Sequence, residues 1–113
     1  MNHPWIKQIV LGLAFGVPAA SAFAQTVDVD AAQELAKASK CTKCHSVDKK
    51  KDGPSYKETA AKYKDKPDAA AKLYTHLTTS PKVKIDGKEE EHARVKSSNE
   101  ADIKNLVAYI LSR

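Results

Sequence analysis

The sequence predicts a small all-α domain of about four helices, closed around a bound group rather than around its own side chains alone. Three observations carry this. Four segments place apolar residues at helical spacing, and only one short stretch carries a hairpin signal. Large aliphatic residues make up less than about a fifth of residues 25–113, too few for a charged chain to build a core unaided. The triplet Cys41, Cys44, His45 stands directly after the first helical segment.

Length and charge exclude several classes. With 113 residues, the chain has room for one small domain. It carries 19 Lys and Arg against 14 Asp and Glu, a net charge of +5. Two cysteines three positions apart are not a disulfide scaffold. No apolar run reaches the roughly 18–20 residues of a spanning helix. A multidomain enzyme and a polytopic membrane protein are thereby ruled out.

Residues 1–24 read as a secretory leader. Lys7 precedes the short apolar run Ile9 to Val17, Pro18 breaks it, and Ala22-Phe23-Ala24 forms a small-x-small cleavage site before Gln25. The alternative, an uncleaved anchor, needs a longer run. Cleavage after Ala24 leaves residues 25–113 as the working domain, exported to the periplasm. The only methionine, Met1, and both phenylalanines, Phe15 and Phe23, leave with the leader.

The first helix is expected from Asp28 or Asp30, either of which can cap it, through Ala32, Leu35 and Ala36 towards Cys41. Asp52-Gly53-Pro54 marks a turn, after which Ser55 can cap a helix from Tyr56 to Lys64. Pro67 is placed to start the third helix, with Ala70, Leu73, Tyr74 and Leu77 along one side. In the last helix, Ile103, Leu106, Val107, Ile110 and Leu111 follow the i, i+3, i+4, i+7, i+8 pattern behind a Ser97–Glu100 capping box. Between the third and fourth helices, Asp86-Gly87 signals a two-residue hairpin. That register sets Lys84 opposite Glu89 and Lys82 opposite Glu91, with Val83 and Ile85 on the other face. A solvated charged loop is the competing reading. Either way the segment delivers His92.

Cys41-Thr42-Lys43-Cys44-His45 is a CxxCH sequence, the attachment signal for c-type haem. Two thiols about one turn apart can each form a thioether with a haem vinyl group, and the next residue supplies an imidazole to the iron. Covalent attachment keeps a large cofactor on a small chain. One haem also supplies the apolar surface that the side chains lack. Three alternatives compete. A thioredoxin-type pair needs a βαβ context that is missing here, the remaining spacing suits no common zinc finger, and a disulfide closing a two-residue loop constrains little.

With these residues the chain resembles the short class I monohaem cytochromes c of bacterial periplasms. The resemblance runs from the first helix and CTKCH through Asp52-Gly53-Pro54-Ser55-Tyr56-Lys57 to a C-terminal helix from Asn99 to Ser112. It implies the class I cytochrome c fold, with the terminal helices crossing through the faces of Leu35 and of Leu106–Ile110. It also implies that the Pro54 carbonyl fixes the Nδ1–H of His45, and that His76 reaches a haem propionate. The family's usual sixth ligand is a methionine, whose position falls on Glu91, and no methionine remains after the leader. The sixth position is open to His92, His76, a lysine or nothing, and position favours His92. His76 lies about 60° from Leu73 around the third helix, at the edge of the buried stripe, where an ordinary helix-edge histidine is the competing reading.

The expected function is electron transfer at low potential by a non-enzymatic carrier with one haem c. The competing class is a gas-binding, sensing or peroxidatic haem protein with an open distal position. The run Lys49-Lys50-Lys51 is ordinary solvated surface or a docking patch for acidic surfaces of redox partners. Nucleic acid is not an expected partner, because the charges are of mixed sign and the chain is exported.

Overall fold

The computed structural model describes residues 12–16 and 26–113; the cleavage site and most of the expected leader lie outside the described residues. The elements are α1 (Val29–Ala38), a 3-10 turn (Cys41–Lys43), α2 (Tyr56–Tyr63), α3 (Ala69–Thr78), β1 (Lys82–Ile85), β2 (Lys88–Glu91) and α4 (Glu100–Leu111). The described residues are mostly helical, with one small antiparallel hairpin.

Local chemistry explains each boundary. Asp28, rather than Asp30, caps α1: its side chain accepts the Ala31 N–H at 3.0 Å. Asp30 sits in the first turn, where negative charge suits the helix dipole. Beyond α1, Lys40 adopts a left-handed conformation at φ 60° and swings the chain into the turn that holds both cysteines. Helix α2 has the full capping box. Ser55 Oγ accepts the Glu58 N–H at 3.0 Å, and the Glu58 carboxylate accepts the Ser55 N–H at 2.7 Å.

Two of the expected helix starts need correction. Helix α3 begins at Ala69, not at Pro67. The Ala69 N–H bonds the Lys66 carbonyl, so Pro67 and Asp68 form a tight turn, and α-type bonding starts only with Lys72 N–H to Asp68. Helix α4 is capped by Asn99, whose Oδ1 accepts the N–H groups of Ala101 and Asp102 at 2.9 and 3.3 Å. Ser97 stands two residues outside, its hydroxyl accepting the Asn99 N–H at 3.1 Å. The amide side chain of Asn99 reaches the orphan donors first.

The hairpin forms in the expected register, with Lys82 opposite Glu91 and Lys84 opposite Glu89. Asp86 and Gly87 take φ of 50° and 77°, the left-handed pair that a two-residue connection demands. Val83 and Ile85 are half-buried, whereas β2 is exposed along its length.

Helix α4 is the centre of the packing, with α1, α2 and α3 all laid against it. Leu106 is fully buried, and Ile103, Val107, Tyr109 and Ile110 surround it. Each such aliphatic side chain contributes about 1.5–3 kcal/mol by leaving water. Helix α1 meets α4 chiefly through Ala32 and Ala36, with Leu35 only half-buried on the flank. Small side chains let the two helix backbones approach closely. Asn105 secures the crossing, accepting the Asp28 N–H at 2.9 Å and donating to the Asp28 carbonyl at 2.8 Å. Among the described residues, no helix is long and apolar enough to cross a membrane.

Candidate functional site

The 3-10 turn brings the two thiols onto one side of a single tight coil. Cys44 N–H and His45 N–H both bond the Cys41 carbonyl, at 3.1 and 2.9 Å. Both cysteines are half-buried and free. Burial pushes the Cys41 thiol above its ordinary value, and a hydrogen bond from its own backbone only partly offsets this. Cys41 packs against the same apolar cluster that α4 anchors.

His45 leaves this turn and is held from behind. Its Nδ1 lies 2.7 Å from the Pro54 carbonyl, which makes Nδ1 the protonated nitrogen and leaves the Nε2 lone pair free. The loop that delivers Pro54 is stitched to the haem-motif turn. Gly53 N–H bonds Cys44 at 2.8 Å, and Tyr56 N–H bonds Ser46 at 2.9 Å.

Gly53, which the sequence marks only as part of a turn, is a site residue. A Cβ there would stand 2.5 Å from His45 Cε1 and 2.9 Å from Nδ1. Only glycine lets the backbone pass so close to the imidazole. The signal was Gly-Pro itself, but the partner across the gap is visible only in three dimensions. Tyr56 is a second such residue. Its ring lies 6.0 Å from that of His45, tilted by 23°, and meets Tyr109 edge-on at 6.0 Å. Burial, then the nearby Cys41 and Tyr109, hold the Tyr56 phenol protonated far above neutral pH.

The distal histidines come from two other elements. His92 follows β2, and its N–H bonds the Pro81 carbonyl at 2.8 Å. Val95 N–H bonds Leu77 at 2.9 Å, and Lys96 N–H bonds the buried Ser39 hydroxyl at 2.9 Å. These bonds fix residues 92–96 as a strap across the end of α3. The His92 ring faces that of His45 with centroids 6.1 Å apart. His76, on α3, lies 4.2 Å from His92. The structure thus gathers Cys41, Cys44, His45, Pro54, His76 and His92 into one region.

Burial first lowers the pKa of both His76 and His92; His45 adds to this at His92, and His92, His45 and Lys62 add to it at His76. The Ala93 backbone lies alongside His92 and opposes the shift without reaching hydrogen-bond geometry. Both imidazoles are therefore neutral at pH 7 and carry free lone pairs.

These residues fit a bound haem. Among the described residues, His92 Nδ1 and Tyr56 OH are buried without any hydrogen-bond partner, a cost of about 1–3 kcal/mol each if nothing else occupies the region. No three His, Cys, Asp or Glu side chains among the described residues converge on one point as a bare metal ion requires. That spacing is unlike the closed cage of a structural zinc.

The helices laid on α4 and the CxxCH turn define a cytochrome c. A family model described as cytochrome c matches residues 29–113, and the chain belongs to that family. It has the class I fold, and haem c is attached covalently at the two cysteines of its CxxCH sequence, Cys41 and Cys44. Among solved structures it is similar to the class 1 cytochrome MtoD of Sideroxydans lithotrophicus ES-1. The two share 55% identity and a TM-score of 0.74, over 77% of this chain and 97% of that one. Cytochrome c552 of Nitrosomonas europaea is 34% identical with a TM-score of 0.56, over 71% of this chain and 96% of that one. By sequence, cytochrome c-552 of N. europaea is 47% identical over 58 residues, or 51% of this chain. Cytochrome c-551 of Pseudomonas denitrificans is 44% identical over 50 residues, or 44% of this chain. These two matches span 56% and 61% of the respective relatives' lengths, less than two thirds of each.

Proposed function

We propose that this chain is a periplasmic electron carrier in which His45 and His92 are the two axial ligands of its haem, holding it at low potential. One observation carries the reading: the His92 ring lies 6.1 Å from the His45 ring, centroid to centroid, tilted by 48°. Two imidazoles bonded on opposite sides of one metal at about 2.0–2.1 Å, each ring centre a little over 1 Å behind its nitrogen, would stand roughly 6.3 Å apart. The sequence offers no thioether to compete, since its one methionine is Met1.

The bound haem supplies a single reversible electron. The chain's own residues set how readily it is held. Pro54 orients His45 through Nδ1 and raises its basicity. Imidazole in place of methionine sulfur favours ferric iron, so the potential falls below that of methionine-ligated relatives. Glu89, Glu90 and Glu91, all exposed beside the strap, act in the same direction, though salt screens them. Both axial positions are filled by protein, which leaves no place for a substrate and supports a carrier rather than an enzyme.

Export follows from the leader, with cleavage after Ala24. Redox partners with acidic surfaces dock through Lys49, Lys50 and Lys51, which are exposed next to the attachment turn. A redox titration of the wild-type protein beside His92→Met tests the reading. The midpoint rises when methionine is bound. A midpoint that stays or falls, with methionine ligation verified spectroscopically, refutes it.

A further inference from the structure

The distal side of the site holds more imidazole than one ligand requires. His76 and His92 come from different elements, yet their rings lie 4.2 Å apart, tilted by 59°. That gap is shorter than the 6.1 Å between His92 and His45 across the site. Both side chains are half-buried.

Both also stand on one rigid unit. Leu73 and Leu77, on either side of His76 along α3, are buried in the core and fix the helix. The strap carrying His92 is tied to that same helix end, through Val95 to Leu77 and through His92 to Pro81. A single rotamer step swings an imidazole by several ångströms, comparable to the gap between the two rings. A side-chain rotation is thus of the size needed to bring one ring towards the place of the other.

We infer that His76 is a reserve iron ligand, taking the sixth position whenever His92 is absent or displaced. The inference rests on the ligation reading above. The exchange is chemically simple: one neutral imidazole nitrogen forms a bond to iron as the other's bond breaks. No proton or electron is gained or lost, and the leaving group is the displaced His92 side chain. The consequence is a site that remains six-coordinate and closed to small exogenous ligands, so loss of one distal bond does not create a gas-binding or peroxidatic haem.

The test uses the purified holoprotein in four forms: wild type, His92→Ala, His76→Ala and the double variant. The readouts are the ferric electron paramagnetic resonance spectrum and carbon monoxide binding to the ferrous form. His92→Leu, which keeps side-chain volume, serves if His92→Ala fails to fold or load haem. The expected result is that loss of His92 alone leaves a low-spin ferric haem with an altered signal and slow carbon monoxide uptake. The double variant turns high-spin and binds carbon monoxide at once. If loss of His92 alone is already high-spin, the reserve role is wrong while His92 ligation stands. If the double variant stays low-spin, another side chain is the replacement and His76 is not. If His76→Ala alone opens the iron, His76 is the resident ligand and the ligation reading itself falls.

Discussion

Replacing Gly53 by alanine introduces one methyl group at the tightest approach in the site. Its carbon would stand 2.5 Å from His45 Cε1, 2.9 Å from Nδ1 and 3.2 Å from Nε2, whereas ordinary contact begins at 3.4 Å. The backbone cannot withdraw freely, because Gly53 N–H is bonded to Cys44 at 2.8 Å. The imidazole must therefore retreat by roughly 1 Å, which stretches the 2.7 Å contact to Pro54 beyond hydrogen-bond range. Overpacking costs about 1–3 kcal/mol, and the lost hydrogen bond about 0.5–1.5 kcal/mol. Alanine returns about 0.4–1 kcal/mol by restricting the unfolded chain. The net expectation is a loss of about 1–3 kcal/mol, read as a lower denaturant midpoint of the holoprotein at unchanged slope. A shift in the reduction potential should accompany it, since the orientation and basicity of His45 change. Stability within about 0.5 kcal/mol of wild type, with an unaltered potential, refutes the argument that glycine is needed for the imidazole.

Three further substitutions probe the scaffold, each by denaturant unfolding of the holoprotein. Ser55→Ala removes a buried cap and strands the Glu58 N–H, costing about 1–2 kcal/mol, with Ser55→Thr restoring most of it. Leu106→Ala, at a fully buried position on the helix against which the other three pack, should cost about 3–5 kcal/mol. Lys40→Gly should act in the opposite direction: relief of a left-handed backbone at φ 60° stabilises by up to about 1 kcal/mol. Covalent haem attachment at the adjacent Cys41 should be unaffected by it.

What the sequence made legible is what depends on near neighbours. The hairpin register follows from Asp86-Gly87 and the opposite charges placed symmetrically on either side, Lys82 and Lys84 before it and Glu89 and Glu91 after it. The Ser55 cap of α2 follows from a serine directly behind the Gly-Pro turn. The start of α4 shows where such signals compete: Ser97 and Asn99 both suit a cap, and only the path of the chain makes Asn99 the one that reaches the free donors. The packing of α1 turned on close approach, so Ala32 and Ala36 carry the contact and the bulkier Leu35 lies to the side. Within the site, Cys41, Cys44 and His45 are contiguous and readable. The closeness of His76 to His92 is not, because it arises where the strap after the hairpin is bonded back onto the end of α3. The need for glycine at position 53 is hidden for the same reason.

The central claim is that two imidazoles close the iron of this cytochrome. The ferric electron paramagnetic resonance spectrum of the purified wild-type holoprotein tests it most directly. Ligation by His45 and His92 predicts a low-spin signal of the two-imidazole type and no high-spin component. A dominant high-spin signal means an open sixth position, which contradicts the account and favours a ligand-binding or peroxidatic haem protein.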